Sequence, residues 1–224
     1  ALTEFEALCG FDTIEVSIER LQQFGWNEEA DVLDQNGIDG YMLWAFDQRT
    51  TPSMNAVAGW MSRLSDAYPT DRALRVAPLL HHLVLQPGQA ISLPAGNLHA
   101  YLHGAGIEVM ASSDNVVRAG FTSKHVDVAE LLRIVDTSPL EHPIATTTVN
   151  HHWTEYTSPS KTFSVASTSW ENLSTVEASN AHRLFLGPVG DDATPDMAWL
   201  PAGESHDFAK VPGTHNVAWM FTQN

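Results

Sequence analysis

The sequence predicts a mainly β fold with a helical insert, and three observations point there. From Leu79 onward, short apolar runs alternate with Gly, Pro and Asn turns, as in LLHHLVLQPGQAISLPAG, which reads strand, turn and strand. Between residues 20 and 76 the apolar residues recur instead at threes and fours, the period of a helix. The element SLPAGNLHAY at Ser92 returns as WLPAGESHDF at Trp199, so a PAGxxH strand-to-strand turn occurs twice and two related β-modules follow.

Each element has its own signal. LQQFGW, EEADVLDQ, GYMLWAFDQ and SMNAVAGWMSRLSDAY are the helical pieces, with Asn36 and Gly37 breaking one helix and Pro52 near the start of another. Met54, Val57, Trp60, Met61 and Leu64 form a stripe that reads as core packing rather than a cofactor box. In NLHAYLHG, Leu98, Ala100 and Leu102 point to one face of a strand and His99, Tyr101 and His103 to the other. One face packs and the other is available for chemistry. Asp114 and Arg118 are an even number of residues apart, so in extended structure they share a side with Val116 and Gly120. DVAELLRIV is a helix capped by Asp127, with Pro139 soon after it, and marks a boundary near residue 140.

Composition narrows the function. The 224 residues, 43% of them hydrophobic, allow one large or two ordinary cores. No apolar run approaches the length of a membrane span, so no membrane partner is expected. The single cysteine, Cys9, excludes an internal disulfide and suits a reducing compartment, with the cytoplasm expected. A formal charge of −16 repels nucleic acid. Against that acidity the few cations stand out: between Arg75 and Arg133 there are only Arg118 and Lys124. Two isolated cations near an imidazole suit a phosphate-bearing substrate and a negatively charged intermediate. The plainer account of the same residues is an Arg118–Asp114 ion pair and a solvated Lys124.

PAGNLHAYLHG, the segment EVM from Glu108 to Met110, and ASSDNVVRAGFTSKHVDV together closely resemble the C-terminal half of the type I phosphomannose isomerases. ALTEFEALCGF resembles that family's segment just after a zinc-binding glutamate. The resemblance implies cupin-type jelly-roll modules plus a small α-helical domain. It divides the chain into the end of the first part of a catalytic β-domain (1–19), a helical domain (20–76), a catalytic cupin module (77–140) and a C-terminal jelly roll (141–224). It further implies zinc-dependent interconversion of mannose 6-phosphate and fructose 6-phosphate through a cis-enediol, on the route to GDP-mannose.

In that family the metal is held by the Gln and His of a Q-x-H element, a Glu, and the His of PAGxxH, and only the last has a counterpart here, His99. The resemblance therefore implies a fragment whose partner is a missing N-terminal segment, inactive by itself. Within it Arg118 would stabilise the enediolate, Lys124 would hold phosphate or substrate, and Tyr101, Glu108 and Asp114 are candidates to position or move protons. The second PAGxxH histidine, His206, and the adjacent pairs His81–His82 and His151–His152 read as structural, since neighbours on a strand point to opposite faces. There is no HxH with a following Glu for a dioxygenase and no nucleophile elbow for a serine hydrolase. The alternative from another class is a non-catalytic cupin-like module that binds a carbohydrate or a protein.

Overall fold

The apolar run FEALCGF forms strand β1 (Phe5–Phe11), whose last five residues are all buried. The computed structural model describes residues 4–113, 115–173, 175–189, 195–208 and 217–223, and the chain divides into two units, Ala1–Gln89 with Leu93–Pro143 and Ala90–Ser92 with Ile144–Asn224. In the first unit β1 is followed by helices α1 (Ile14–Gln23), α2 (Asn27–Asp47) and α3 (Trp60–Ala67), strands β2 (Leu80–Leu85) and β3 (His99–His103), and helix α4 (Val128–Ile134). β1 lies between β2 and β3 and pairs antiparallel with both.

Register assigns the two faces of this sheet. Leu8 is opposite both His82 and Ala100, so these three share a face, and Leu98, Ala100 and Leu102 pack with Leu8 against Leu21, Leu33, Tyr41, Met61 and Leu74. The helices and the sheet thus share one core. Cys9 is opposite His81 and His99, and Ala7 opposite Leu83 and Tyr101, on the other face.

The helices start and stop for identifiable reasons. The Thr13 hydroxyl accepts from Val16 N–H at the start of α1, six residues before the expected helical stretch. At its end Gly25 (φ +74) lets the chain turn back: Gly25 N–H donates to Gln22 O and Trp26 N–H to Leu21 O, both at 2.9 Å. The expected break at Asn36–Gly37 is present as a kink inside α2, where Gly37 leaves helical geometry. α3 begins only at Trp60, so residues 53–59 of the expected helix lie outside it. Its stripe still packs, with Met61 and Leu64 buried and Met54, Val57 and Trp60 against the same core. Asp127 caps α4 by accepting from Glu130 N–H at 3.0 Å, as expected.

One carboxylate ties helix to sheet, and another caps a turn. Glu6 on β1 accepts from Arg63 of α3 at 2.5 Å and pairs with His82 Nε2 at 2.8 Å, while the His82 ring stacks on Trp60 at 4.9 Å. Desolvation raises the Glu6 pKa, but the hydrogen bonds from His82 and Arg63 outweigh it, and the net shift is downward. Asp71 caps the 3-10 turn Arg72–Leu74 by accepting from Ala73 N–H at 2.9 Å.

Two strand expectations meet a different outcome. After β2 the segment AISLPAG contributes only an isolated bridge, Ile91 with Ile144. Residues 104–113 and 115–127, read as strand-rich, contain no strand among the described residues. A strand is stable only with a partner for its backbone groups. The outer edge of β3, the nearest candidate, is unpaired among the described residues.

The second unit holds β4 (Thr147–Asn150), β5 (Trp153–Tyr156), β6 (Phe163–Ser169), β7 (Thr175–Val176), β8 (Arg183–Val189), β9 (Pro195–Leu200), β10 (His206–Asp207) and β11 (Val217–Gln223). Six of these form one antiparallel sheet in the order β4-β5-β6-β11-β8-β9, and β7 pairs with β10. Trp170, Leu173, Val176, Phe185, Leu200 and Ala218 make its core. The second PAGxxH element runs through a turn into β10, where the His206 ring meets Phe208 edge-on at 4.5 Å. His206, expected as a structural or surface histidine, is exposed there.

Gly10 marks the bulge at which β1 shifts register against β2, with φ +57. A Cβ there would lie 2.5 Å from Leu140 Cδ2, whereas one at Gly25 would meet only Ala56, at 3.9 Å. Gly25→Ala is expected to cost about 1 kcal/mol, the cost of positive φ alone. Gly10→Ala is expected to cost roughly 2–4 kcal/mol, strain and overpacking together. Denaturant midpoints of the two variants check this ordering.

Candidate functional site

The face of β3 away from the core carries the sequence-predicted imidazole. His99, Tyr101 and His103 are exposed while Ala100 and Leu102 are half-buried, the alternation the sequence predicts. His99 Nδ1 lies 3.4 Å from the Asn97 carbonyl oxygen. A carbonyl only accepts, so in the neutral ring the hydrogen sits on Nδ1 and the Nε2 lone pair is left for a ligand. The ring centroid of His99 is 5.6 Å from that of Tyr101, which in turn meets Phe5 edge-on at 5.3 Å.

Tyr101 and Glu108 are joined directly. The phenol donates to Glu108 Oε1 at 2.9 Å, so the turn after β3 folds the carboxylate back over the strand. Partial burial raises the Tyr101 pKa first, and the hydrogen bond to Glu108 and its negative charge raise it further. The pair is therefore a neutral O–H donor held against an acceptor carboxylate. Cys9, beneath this face, is fully buried, and desolvation pushes its thiol up to about 11. A thiol so held is not a nucleophile at neutral pH.

Arg118 and Lys124 stand on a separate turn. Val117, Ala119 and Phe121 pack against the core of the first unit, so residues 117–121 alternate inward and outward. Arg118 is half-buried and makes no hydrogen bond or ion pair with another described residue; Lys124 is exposed, and its backbone N–H donates to Thr122 Oγ1 at 3.1 Å. Asp114 lies outside the described residues, and with it the expected Arg118–Asp114 pair. The structure thus brings His99, Tyr101 and Glu108 together and gives the two cations their own anchored turn.

Sequence reasoning missed the groups that hold these elements. Asn97 orients His99, and the Asp71 carboxylate accepts from Phe121 N–H at 2.6 Å. The Asp at the start of DRALR is visible as a helix-cap signal, but its partner fifty residues away is not. As for metal, no group of three or more His, Cys, Asp or Glu able to hold an ion occurs among the described residues. His99 fits as a single ligand, and the described residues do not complete a cage around it. No helix among the described residues is long and apolar enough to cross a membrane.

No family model matches the chain. Curated sequences similar to it are mannose-6-phosphate isomerases. That of Salmonella typhimurium is 47% identical over 76 residues, 34% of this chain and 19% of the relative. That of Escherichia coli K12 is 49% identical over 69 residues, 31% and 18%. Mannose-6-phosphate isomerase 1 of Arabidopsis thaliana is 27% identical over 250 residues, covering 95% of this chain and 51% of its own length. The chain thus spans about half the length of the plant relative. Among solved structures, the Salmonella typhimurium mannose 6-phosphate isomerase bound to substrate (f6p) and zinc matches with a TM-score of 0.71 at 22% identity, over 100% of this chain and 64% of that one. Its apo form matches equally, at 0.71 and 22%, over 100% and 65%. The cupin fold expected of this chain is the fold it has.

The Tyr101–Glu108 contact makes a titration testable. With its pKa raised, Tyr101 stays neutral when an ordinary phenol ionises, and any stability it contributes is full below pH 10 and lost only as pH rises through the higher folded-state value. Glu108→Gln removes the negative charge and is expected to bring that ionisation to lower pH. Phenolate absorbance, read as the difference between each protein and its Tyr101→Phe counterpart, measures the shift.

Proposed function

We propose that this chain is part of a mannose-6-phosphate isomerase, an aldose-ketose isomerase that interconverts mannose 6-phosphate and fructose 6-phosphate. The observation that carries the reading is the likeness along this chain to such isomerases, within which an exposed imidazole and a tyrosine hydrogen-bonded to Glu108 occupy one strand face. Partial coverage of the relatives supports a complete enzyme with a further segment, and that segment would supply the remaining metal ligands beside His99. We assign the enzyme to the cytoplasm and to GDP-mannose synthesis, and residues 77–140 to its catalytic module.

The reaction moves one proton from C2 to C1 of the open-chain sugar. A base takes the C2 proton while O1 gains one, giving the cis-enediol; O2 then loses its proton as C1 gains one, giving the ketose. Zinc, when bound, supplies Lewis acidity toward the substrate oxygens. The residues of this chain supply the rest. Glu108 offers an acceptor carboxylate and Tyr101 a neutral hydroxyl held against it at 2.9 Å, so the pair suits proton handling at adjacent substrate atoms. Asp114 joins them as a third candidate. Arg118, without a carboxylate partner among the described residues, is available to stabilise the enediolate, and the exposed Lys124 to hold phosphate.

Arg118→Ala in the complete enzyme is expected to lower kcat about a hundredfold with little change in KM, because its charge is needed most in the transition state. Lys124→Ala is expected mainly to raise KM, as for a group that grips substrate and transition state alike. Steady-state kinetics with mannose 6-phosphate read both. A stable Arg118→Ala enzyme with normal turnover removes that residue from the mechanism. The isolated 224-residue chain is expected to lose zinc on dialysis against a chelator, since tight sites use three or four protein ligands. Metal content after dialysis tests this.

A further inference from the structure

The turn that carries Arg118 and Lys124 is held from behind by a single carboxylate. Asp71 uses both oxygens: Oδ1 accepts from Ala73 N–H at 2.9 Å and Oδ2 from Phe121 N–H at 2.6 Å. Phe121 has φ +53, a left-handed conformation that is strained for a bulky aromatic residue. Such a conformation persists where its surroundings fix it, and here they do so twice. The Asp71 carboxylate takes the Phe121 N–H, and the Phe121 ring packs on Tyr68 with centroids 5.5 Å apart. Gly120 allows the approach, because a Cβ there would lie 2.6 Å from Asp71 Oδ1 and overlap Ala73 Cβ.

We propose that Asp71 is a positioning residue for the isomerase reaction, fixing the 118–124 turn so that Arg118 and Lys124 are presented in one geometry. It rests on the mechanism proposed above for these two cations. A helix-cap carboxylate in the helical part of the chain thereby reaches the reaction through the Phe121 amide and not by touching substrate. Charged hydrogen bonds to backbone N–H groups are short and strong, so the Asp71 carboxylate adds directional restraint to a turn whose Ala119 and Phe121 side chains already pack against the core.

The two jobs of Asp71 can be separated. Asp71→Ser keeps a hydroxyl able to cap the 3-10 turn at Ala73, but its single, shorter-reaching oxygen cannot also serve Phe121. Asp71→Ala removes both bonds. Gly120→Ala leaves the carboxylate intact and pushes the turn away from it. In the complete enzyme two readouts are taken: the rate of tryptic cleavage after Arg118 and Lys124, which is independent of activity, and kcat and KM for mannose 6-phosphate. All three variants are expected to be cut at these bonds at least fivefold faster than wild type and to lose at least tenfold in kcat, with Asp71→Ser resembling Asp71→Ala. If Asp71→Ser keeps wild-type cleavage and turnover, Asp71 is only a cap and the proposal falls. If cleavage accelerates while turnover stays normal, the anchoring is real but plays no part in the reaction, and the proposal falls there too. Arg118→Ala, assayed alongside, separates these cases from failure of the enediolate assignment: normal turnover in that variant condemns the mechanism itself, whatever the cleavage rates show.

Discussion

A strand can be buried only when the backbone groups on both of its edges are satisfied, and the first unit is arranged around meeting that condition for β1. β2 and β3 occupy its two edges, and Leu8 anchors one face to the helical core while Ala7 and Cys9 lie beneath the other. Because opposite residues on paired strands share a face, fixing β1 also fixes which side chains of β3 meet the core and which meet solvent. His99 and Tyr101 are outward because Leu98, Ala100 and Leu102 are inward. At the Gly10 bulge, where Leu140 closes over the strand, the register against β2 shifts, and pairing resumes at Phe11 with Leu80.

The helical segment then has a purpose beyond covering the sheet. Its first helices bury Leu21, Leu33 and Tyr41 against β1, and the 3-10 turn that follows α3 presents Asp71 to the turn bearing the two cations. A polar network of Glu6, Arg63 and His82, backed by Trp60, fixes α3 against β1. A carboxylate shared between a guanidinium and an imidazole can contribute more than an exposed ion pair, since Glu6 is mostly withdrawn from solvent. Groups as far apart in sequence as residues 6, 71 and 118 are thus tied to one small core.

Much of this was readable from the residues. The alternation in NLHAYLHG and the capping Asp127 are local signals, encoded within a few positions, and both emerged as expected. The Asn36–Gly37 break was legible for the same reason, because glycine tolerates backbone angles closed to other residues. What failed was whatever depends on a partner. Residues 104–127 have strand-like composition, yet among the described residues none of them is in a strand, and periodicity cannot say whether a ladder is available. The helix expected from Ser53 starts instead at Trp60, because Gly59 (φ +63) interrupts a pattern whose apolar spacing remains suited to packing. The Asp71–Phe121 bond was invisible for a related reason: a contact across fifty residues leaves no spacing rule behind.

The chain has a single cysteine, and it lies on the central strand, shut from solvent with a thiol that ionises only near pH 11. Only the thiolate reacts with alkylating or disulfide reagents, so at neutral pH the folded protein is protected both by access and by protonation. Modification therefore has to wait for β1 to separate from its neighbours. The rate at which the protein takes up a thiol label consequently times the opening of its own innermost strand, so one chemical probe follows the integrity of the first unit without any substrate, metal or engineered tag.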